Sequence, residues 1–387
     1  MSGPLSGIHV LDVGTYAVGP SAASCLGQLG AEVIRIENPA GEAFMDLQPT
    51  MGGMAASYIN ANMAKKSIYV NLKERQGIRL ARSLTRWADI LIENRLPGVI
   101  ERLGLGYEEV AKLNPRIIYV SMPGFGTSGP FANRPALDAH VQAVSGFASI
   151  EGSEGGPPEL FRVYAHLDHT TAVALVQAAL LGLLARQRSG LGQRITVGFF
   201  STAIFLQITR IADFFATGQN PQRLGSVSPI IAPSQSFRCL DGNFINISAP
   251  GEESWQRLCR ALDLEHLQNE ARFRTNHDRL RNRAALAEII ERRTAEAPAW
   301  WWLLHLRRHQ VPCGPIYEFE DIARDRHFLD QGMVVRVQTP WGKVIRGGHP
   351  WRFNETPCRP IEPTHPPGAD EEEVLQLIGN YSFSAEG

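Results

Sequence analysis

Short β-branched runs alternate with helical patterns through the first third of the chain, and this alternation constrains the fold more than any other feature. Residues 8–13 (Ile-His-Val-Leu-Asp-Val) read as a buried strand, 21–29 as a helix ended by Gly30, and 32–37 as a second strand. Further strands fall at 67–71 and 89–93, on either side of a helix near 75–88, and again at 117–121. This is the rhythm of βαβ units. It specifies an α/β chain with an open, mostly parallel, Rossmann-like sheet covered by helices on both faces. After the turn at 189–193, residues 194–197 return as one more strand, and a long helix over 201–216 leaves the sheet.

The pattern then changes. Residues 218–233 are rich in Gly, Pro, Ser and Asn and mark a linker. Asp241-Gly242, flanked by 236–239 and 244–247, signals a hairpin, and the arginine-rich helical segment 254–308 completes a smaller α+β domain. Residues 311–316 read as a crossing back, 333–345 as strands around Pro340-Trp341-Gly342, and 370–379 as a closing helix. The expected domains are 1–217, the N-terminal part of a large domain; 218–310, linker and small domain; and 311–387, return linker and C-terminal part of the large domain. A length of 387 residues suits two domains.

With 38 basic against 39 acidic residues there is no global field to attract nucleic acid or an anionic membrane. A polyanionic ligand must be met by a local cluster. Five cysteines without a CxxC pair or a histidine in ligand spacing read as reduced thiols of a cytoplasmic protein, with no metal site. No basic segment followed by an apolar one stands at the N-terminus, and the apolar run near 170–185 reads as a buried core helix rather than a membrane span. The first strand-to-helix turn, Gly14 to Gly19, has the wrong spacing for a GxGxxG loop, and neither GxxxxGK[ST] nor GxSxG occurs. A nicotinamide dehydrogenase therefore has only the fold rhythm behind it.

Asp168 stands where the apolar helix begins, in the run Phe161-Arg162-Val163-Tyr164-Ala165-His166-Leu167-Asp168-His169, after the turn-rich Gly155-Gly156-Pro157-Pro158. Local sequence leaves two uses open. One is an N-cap, the commoner role for such an aspartate; the other is a carboxylate nucleophile.

A set of short motifs spans nearly the whole chain: Pro4 to Asp12, Ala17-Val18-Gly19-Pro20, Leu29 to Glu37, Lys65-Lys66-Ser67-Ile68, Glu93-Asn94, Pro123-Gly124-Phe125-Gly126, Gln142-Ala143-Val144-Ser145-Gly146, Gly190-Leu191-Gly192-Gln193 and Val311-Pro312-Cys313-Gly314-Pro315. In this order they resemble the family III CoA-transferases, which include formyl-CoA transferase, the carnitine CoA-transferase and α-methylacyl-CoA racemase. The resemblance implies a CoA-binding parallel sheet, a smaller domain on long linkers, and an interlocked homodimer. It makes Asp168 the nucleophile and a small carboxylic acid the co-substrate of acyl-CoA, with no tightly bound cofactor. It places contacts to CoA at Ala17 and Val18, at Val70, Asn71, Leu72 and Lys73, at Asn94, Arg95 and Leu96, at Arg102, and at Pro135, Ala136, Leu137 and Asp138, with Arg134 as a further phosphate partner.

Departures from the family narrow the reading. The racemase branch has a histidine base where this chain has Leu137, and leucine exchanges no proton. His140 lies three residues further on. Asp138 takes the place of an active-site glutamate of formyl-CoA transferase, with a role in positioning the acceptor or Asp168, or as a plain cap of its own helix. Residues 248–253 are poor in glycine where that enzyme has a glycine-rich lid, Ala17 replaces a polar side chain, and Asn38 replaces an arginine. A CoA-transferase is the leading reading. An acyl-CoA racemase or a CoA-binding protein without transferase activity are its rivals. Arg162, Tyr164, His166 and His169 are open between pocket and packing.

Overall fold

The computed structural model describes residues 3–162 and 165–384, with side chains through residue 379. The chain divides into two compact units: residues 1–147, 160–219 and 327–387 form the first, and 148–159 with 220–326 the second.

The first unit is built on strands β1 (His9–Asp12), β2 (Glu32–Glu37), β3 (Lys66–Tyr69), β4 (Ile90–Glu93), β5 (Ile118–Ser121) and β6 (Gln193–Thr196). They form one six-stranded sheet in the order β3-β2-β1-β4-β5-β6. Every pairing is parallel, with Val10 opposite both Val33 and Ile90, and Ile118 opposite both Ile90 and Gln193. Period-two alternation sends neighbouring residues to opposite faces. Val10, Val33, Ile90, Ile92, Ile118 and Val120 share a core with α1 (Val18–Gln28) and α4 (His166–Ser189), whereas Leu11, Ile34, Leu91 and Tyr119 pack against α2 (Arg75–Trp87) and the C-terminal helix Glu371–Ser384. Each such fully buried side chain contributes roughly 1.5–3 kcal/mol. A further helix, α3 (Asp138–Val144), lies between β5 and α4 in sequence.

Three expectations need correction. The helix expected over 201–216 is two helices, Phe199–Leu206 and Ile208–Thr217, bent by 65°. The buried Gln207 at the break donates to the Ala203 and Ser145 carbonyls, and its tie to Ser145 draws the chain out of line. Residues 313–315 do not merely cross back: they pair with Phe244–Ser248 as the third strand of the small sheet. That pairing extends the second unit to 326, where a boundary at 310 was expected. Finally, α4 is buried along one stripe only. Leu167, Ala172, Leu175 and Ala179 face the sheet, and at Gly182 a Cβ would stand 2.5 Å from Ile118, so the helix can lie close to β5. Val173, Leu181 and Leu184 on the other side are about half exposed. By length and composition this helix is apolar enough to cross a membrane; being apolar all round, it has more nonpolar surface than one sheet face covers.

In the second unit, strands Ser234–Arg238 and Phe244–Ser248 pair antiparallel around Asp241-Gly242, as the turn chemistry predicts. The end of the glycine-poor segment 248–253 is pinned: the buried Arg279 holds Glu252 with two bonds of 2.8 and 3.0 Å.

Candidate active site at the carboxyl edge of the sheet

In a doubly wound sheet ligands bind outside the carboxyl ends of the strands, where the strand order reverses. Here the reversal falls between β1 and β4. Helices following parallel strands run back across the sheet, so α1 and α4, which share a core on one face, both present their N-termini at this edge.

Asp168 is the third residue of α4 and does not cap it. The N-cap is Ala165, without any side-chain bond. The cap comes from 30 residues away: Asp138 Oδ2 accepts the Leu167 N–H at 2.9 Å and the Asp168 N–H at 3.3 Å. Asp138 does not cap its own helix either, since the N-cap of α3 is Leu137 with no side-chain bond. Sequence reasoning missed Gln142, which holds this arrangement. Fully buried, it donates to Asp138 Oδ1 and to the Phe161 carbonyl (2.9 Å), and accepts the Phe161 N–H (2.8 Å). A glutamine among apolar residues of a short helix was the available signal.

With its own amide satisfied by Asp138, the Asp168 carboxylate is left without a hydrogen-bond donor among the described residues, half-buried in the first turn of the helix. Burial raises its pKa to about 7, and the negative charge of Asp138 adds to the rise. Partial desolvation lowers the pKa of the His169 ring, and the charge of Asp138 opposes that shift. His166 is a packing residue, set 4.7 Å from the Phe147 ring and 5.3 Å from Phe161. Arg162 is exposed, and Tyr164 lies outside the described residues.

The crevice at the switch point is built by close approach. Asn94, just past β4, accepts the Thr15 N–H at 2.7 Å and donates to the Thr15 carbonyl at 2.8 Å. Gly14 and Gly19 make room for that amide: a Cβ on either would stand 3.2–3.3 Å from Asn94 Oδ1. Beneath the turn lies a buried ion network. Asp12 accepts from Lys65 Nζ (2.7 Å), Arg35 (3.1 Å) and the Gly14 N–H (2.9 Å), while Arg35 also reaches Glu37 (2.7 Å) and Glu42 (2.6 Å).

The residues expected to meet CoA all lie along this edge, but differ in what they can offer. Val18, Val70 and Leu72 are buried in the cores, so only their backbone can face a ligand. The Asn94 amide is committed to Thr15, and that of Asn71 to Glu74 and the Lys73 N–H. Lys73 and Arg102 are exposed, and their charged groups bond no acceptor among the described residues. Arg134 is exposed and stacks 4.2 Å over the Phe131 ring. Arg95 has its Nε buried with no partner among the described residues, an arrangement suited to an anion. Ala17, Leu96 and Ala136 are half-buried; Pro135 and Leu137 are exposed. No group of three His, Cys, Asp or Glu that could hold a metal occurs among the described residues.

An edge with free cations, an unpaired guanidinium Nε and an unbonded carboxylate suits acyl transfer on an anionic carrier. The chain belongs to CoA-transferase family III, which matches residues 5–371. It is 33% identical over 386 residues to the succinyl-CoA:glutarate CoA-transferase of Mus musculus, covering 99% of this chain and 88% of the relative. It is 34% identical over 354 residues to the acetyl-CoA:oxalate CoA-transferase of Acetobacter aceti, covering 91% and 90%. Among solved structures, a CAIB/BAIF family protein from Brucella suis superposes with a TM-score of 0.87 at 30% identity, covering 98% of this chain and all of that one.

Proposed function

We propose that Asp168 is the covalent nucleophile with which this CoA-transferase moves CoA from an acyl-CoA donor to a small carboxylic acid. The observation that carries the reading is the Asp168 carboxylate itself, half-buried and unbonded in the first turn of α4, with its amide held by Asp138. The ionised carboxylate attacks the thioester carbonyl and expels CoA thiolate, giving a mixed anhydride. The thiolate then attacks the aspartyl carbonyl, releasing the donor acid and leaving an aspartyl-CoA thioester. The acceptor carboxylate attacks that thioester and again frees the thiolate. Finally the thiolate takes the acceptor's acyl group from the anhydride and restores Asp168. The first-turn amides of Leu167 and Asp168 are bonded to Asp138, so what favours the charge developing at this position is the aligned peptide dipole of α4.

Relatives named for glutarate and for oxalate support dicarboxylic acids as substrates. Lys73, Arg95 and Arg102 support an anionic carrier such as CoA. Leu137, which exchanges no proton, disfavours a two-base racemase. The half-exposed apolar side of α4, continued by Phe205 and Phe215, supports a homodimer in which a second copy covers it. Five free thiols support a reducing, cytoplasmic location.

The test is trapping. Incubation with acyl-CoA followed by hydroxylamine or borohydride should modify Asp168 alone, as read by peptide mass spectrometry. Asp168→Ala should fold, bind CoA and transfer nothing; near-normal turnover by that variant refutes the reading. Exchange of the α-proton with deuterated water in the absence of a free acid would point to a racemase instead.

A further inference from the structure

Tyr16 is the one residue of the β1–α1 turn with a left-handed backbone, at φ +58°. That region is uncommon for any side chain but glycine and unfavourable for a bulky one. The turn is fixed on both sides. Asn94 clamps Thr15, and the Tyr16 N–H donates to Glu42 Oε2 at 3.3 Å, Glu42 itself being held by Arg35. The fold thus spends buried charge on keeping an unfavourable conformation. Its visible result is the position of one ring.

That ring is 43% exposed, and its hydroxyl bonds nothing among the described residues. One side of it rests on Phe44, with ring centres 5.6 Å apart; Phe44 meets Tyr58 at 6.4 Å, and Arg35 lies 5.9 Å over Tyr58. Phe44 and Tyr58 are buried, so the stack is rigid beneath and open at the Tyr16 end. Ala17, the next residue, packs on the same aromatic cluster and is the N-cap of α1, whose Val18 shares a core with Leu167, the neighbour of Asp168. Tyr16 therefore stands on the Asp168 side of the sheet. The free cations Lys73 and Arg102 stand on the other, beside Leu72 and Ile100 of the opposite core. A carrier whose phosphates meet those cations and whose thioester reaches Asp168 brings its acyl end, not its nucleotide, to Tyr16.

We propose that Tyr16 is a specificity-determining residue, its exposed ring forming the wall against which the acyl or acid portion of the substrate at Asp168 packs. This rests on the assignment of Asp168 as the reacting carboxylate. The wall limits the size of the acid and shields the anhydride from water on that side.

The experiment compares wild type, Tyr16→Gly, Tyr16→Asn and Tyr16→Phe across a panel of mono- and dicarboxylic acids of increasing length, with thermal midpoints measured in parallel. Glycine and asparagine tolerate the left-handed backbone, so both variants should melt at or above the wild-type temperature. They should change the ratio of kcat/KM between the shortest and longest accepted acids by about 10-fold or more, through KM rather than kcat, while Tyr16→Phe keeps the wild-type ratio. A loosened turn without a substrate contact would scale all acids alike. Unchanged ratios, within about twofold, in both Tyr16→Gly and Tyr16→Asn overturn the proposal. Asp168→Ala run on the same panel separates the two readings: activity there sinks the nucleophile assignment, whereas an inactive Asp168→Ala beside unaltered Tyr16 variants sinks only the wall.

Discussion

Asp12 ends β1 and Asp168 opens α4, so both carboxylates stand at the carboxyl edge of one sheet, yet their surroundings are opposite. Asp12 has no exposure, and burial alone would raise its pKa; Lys65, Arg35 and the Gly14 N–H outweigh that and hold it below the usual carboxylate range. Asp168 is less buried, faces another carboxylate and receives no donor among the described residues, so its pKa rises to about 7. A carboxylate whose lone pairs are all engaged stabilises the fold and cannot attack. One left unbonded destabilises the fold and can. Asp138 makes the contrast possible, since it satisfies the start of α4 and leaves Asp168 free of that duty.

The sharpest way to break the comparison is to exchange the roles. Asp168→Asn should lower transfer by at least ~10³-fold, with CoA binding retained by calorimetry. Asp12→Ala should instead cost on the order of 3–5 kcal/mol of stability in urea titrations, because it leaves the buried Lys65 without its carboxylate and takes one of three carboxylates from Arg35. Its activity should fall only with the folded fraction. Next in size is the pH profile. Asp168 must be ionised to attack, so kcat/KM should rise with pH through about 7. Asp138→Asn keeps an acceptor for the Leu167 N–H but removes the neighbouring charge, so the midpoint should move down. Burial, the larger cause, should keep it above 4.

The smallest effect is on stability, and its sign differs between the two sites. The folded pKa of Asp168 is raised, so the folded state holds a proton that the unfolded state has already lost. Its stabilising contribution is present below the ordinary carboxylate pKa and disappears as pH rises to about 7. Asp168→Asn should therefore raise Tm by about 2–4 °C at pH 8 and by less at pH 5. The pKa of Asp12 is lowered, so its contribution is present above the ordinary carboxylate range and is lost on acidification.

The sheet was legible because its strands are short, apolar and punctuated by glycine, so that 32–37 was read to the residue and β1, β4 and β5 to within two. What escaped the sequence depends on partners far along the chain. The break at Gln207 answers to Ser145, 62 residues away. Residues 313–315 became a strand because Phe244–Ser248 had a free edge. At the site, Asp138 and Asp168 each begin a helix, and local rules read each as the cap of its own; the cross-helix cap involves 29 and 30 residues of separation and has no local signature. The position of Asp168 was therefore legible and its lack of donors was not.

The Asn94 amide that grips Thr15 ties together residues 79 apart, so the contact exists only where β4 is paired beside β1. While β4 is unpaired, β1 to β3 can form a βαβαβ half with its glycine turn, but the turn has no opposite wall and the crevice does not exist. Ligand binding is in this sense a property of four strands acting together. The free energy of a bound acyl-CoA, which grows as RT ln(1 + [L]/Kd), is gained only by chains in which β1 and β4 are joined. Any opening that parts them must first release the ligand, so hydrogen exchange at both strands should slow together as substrate is added.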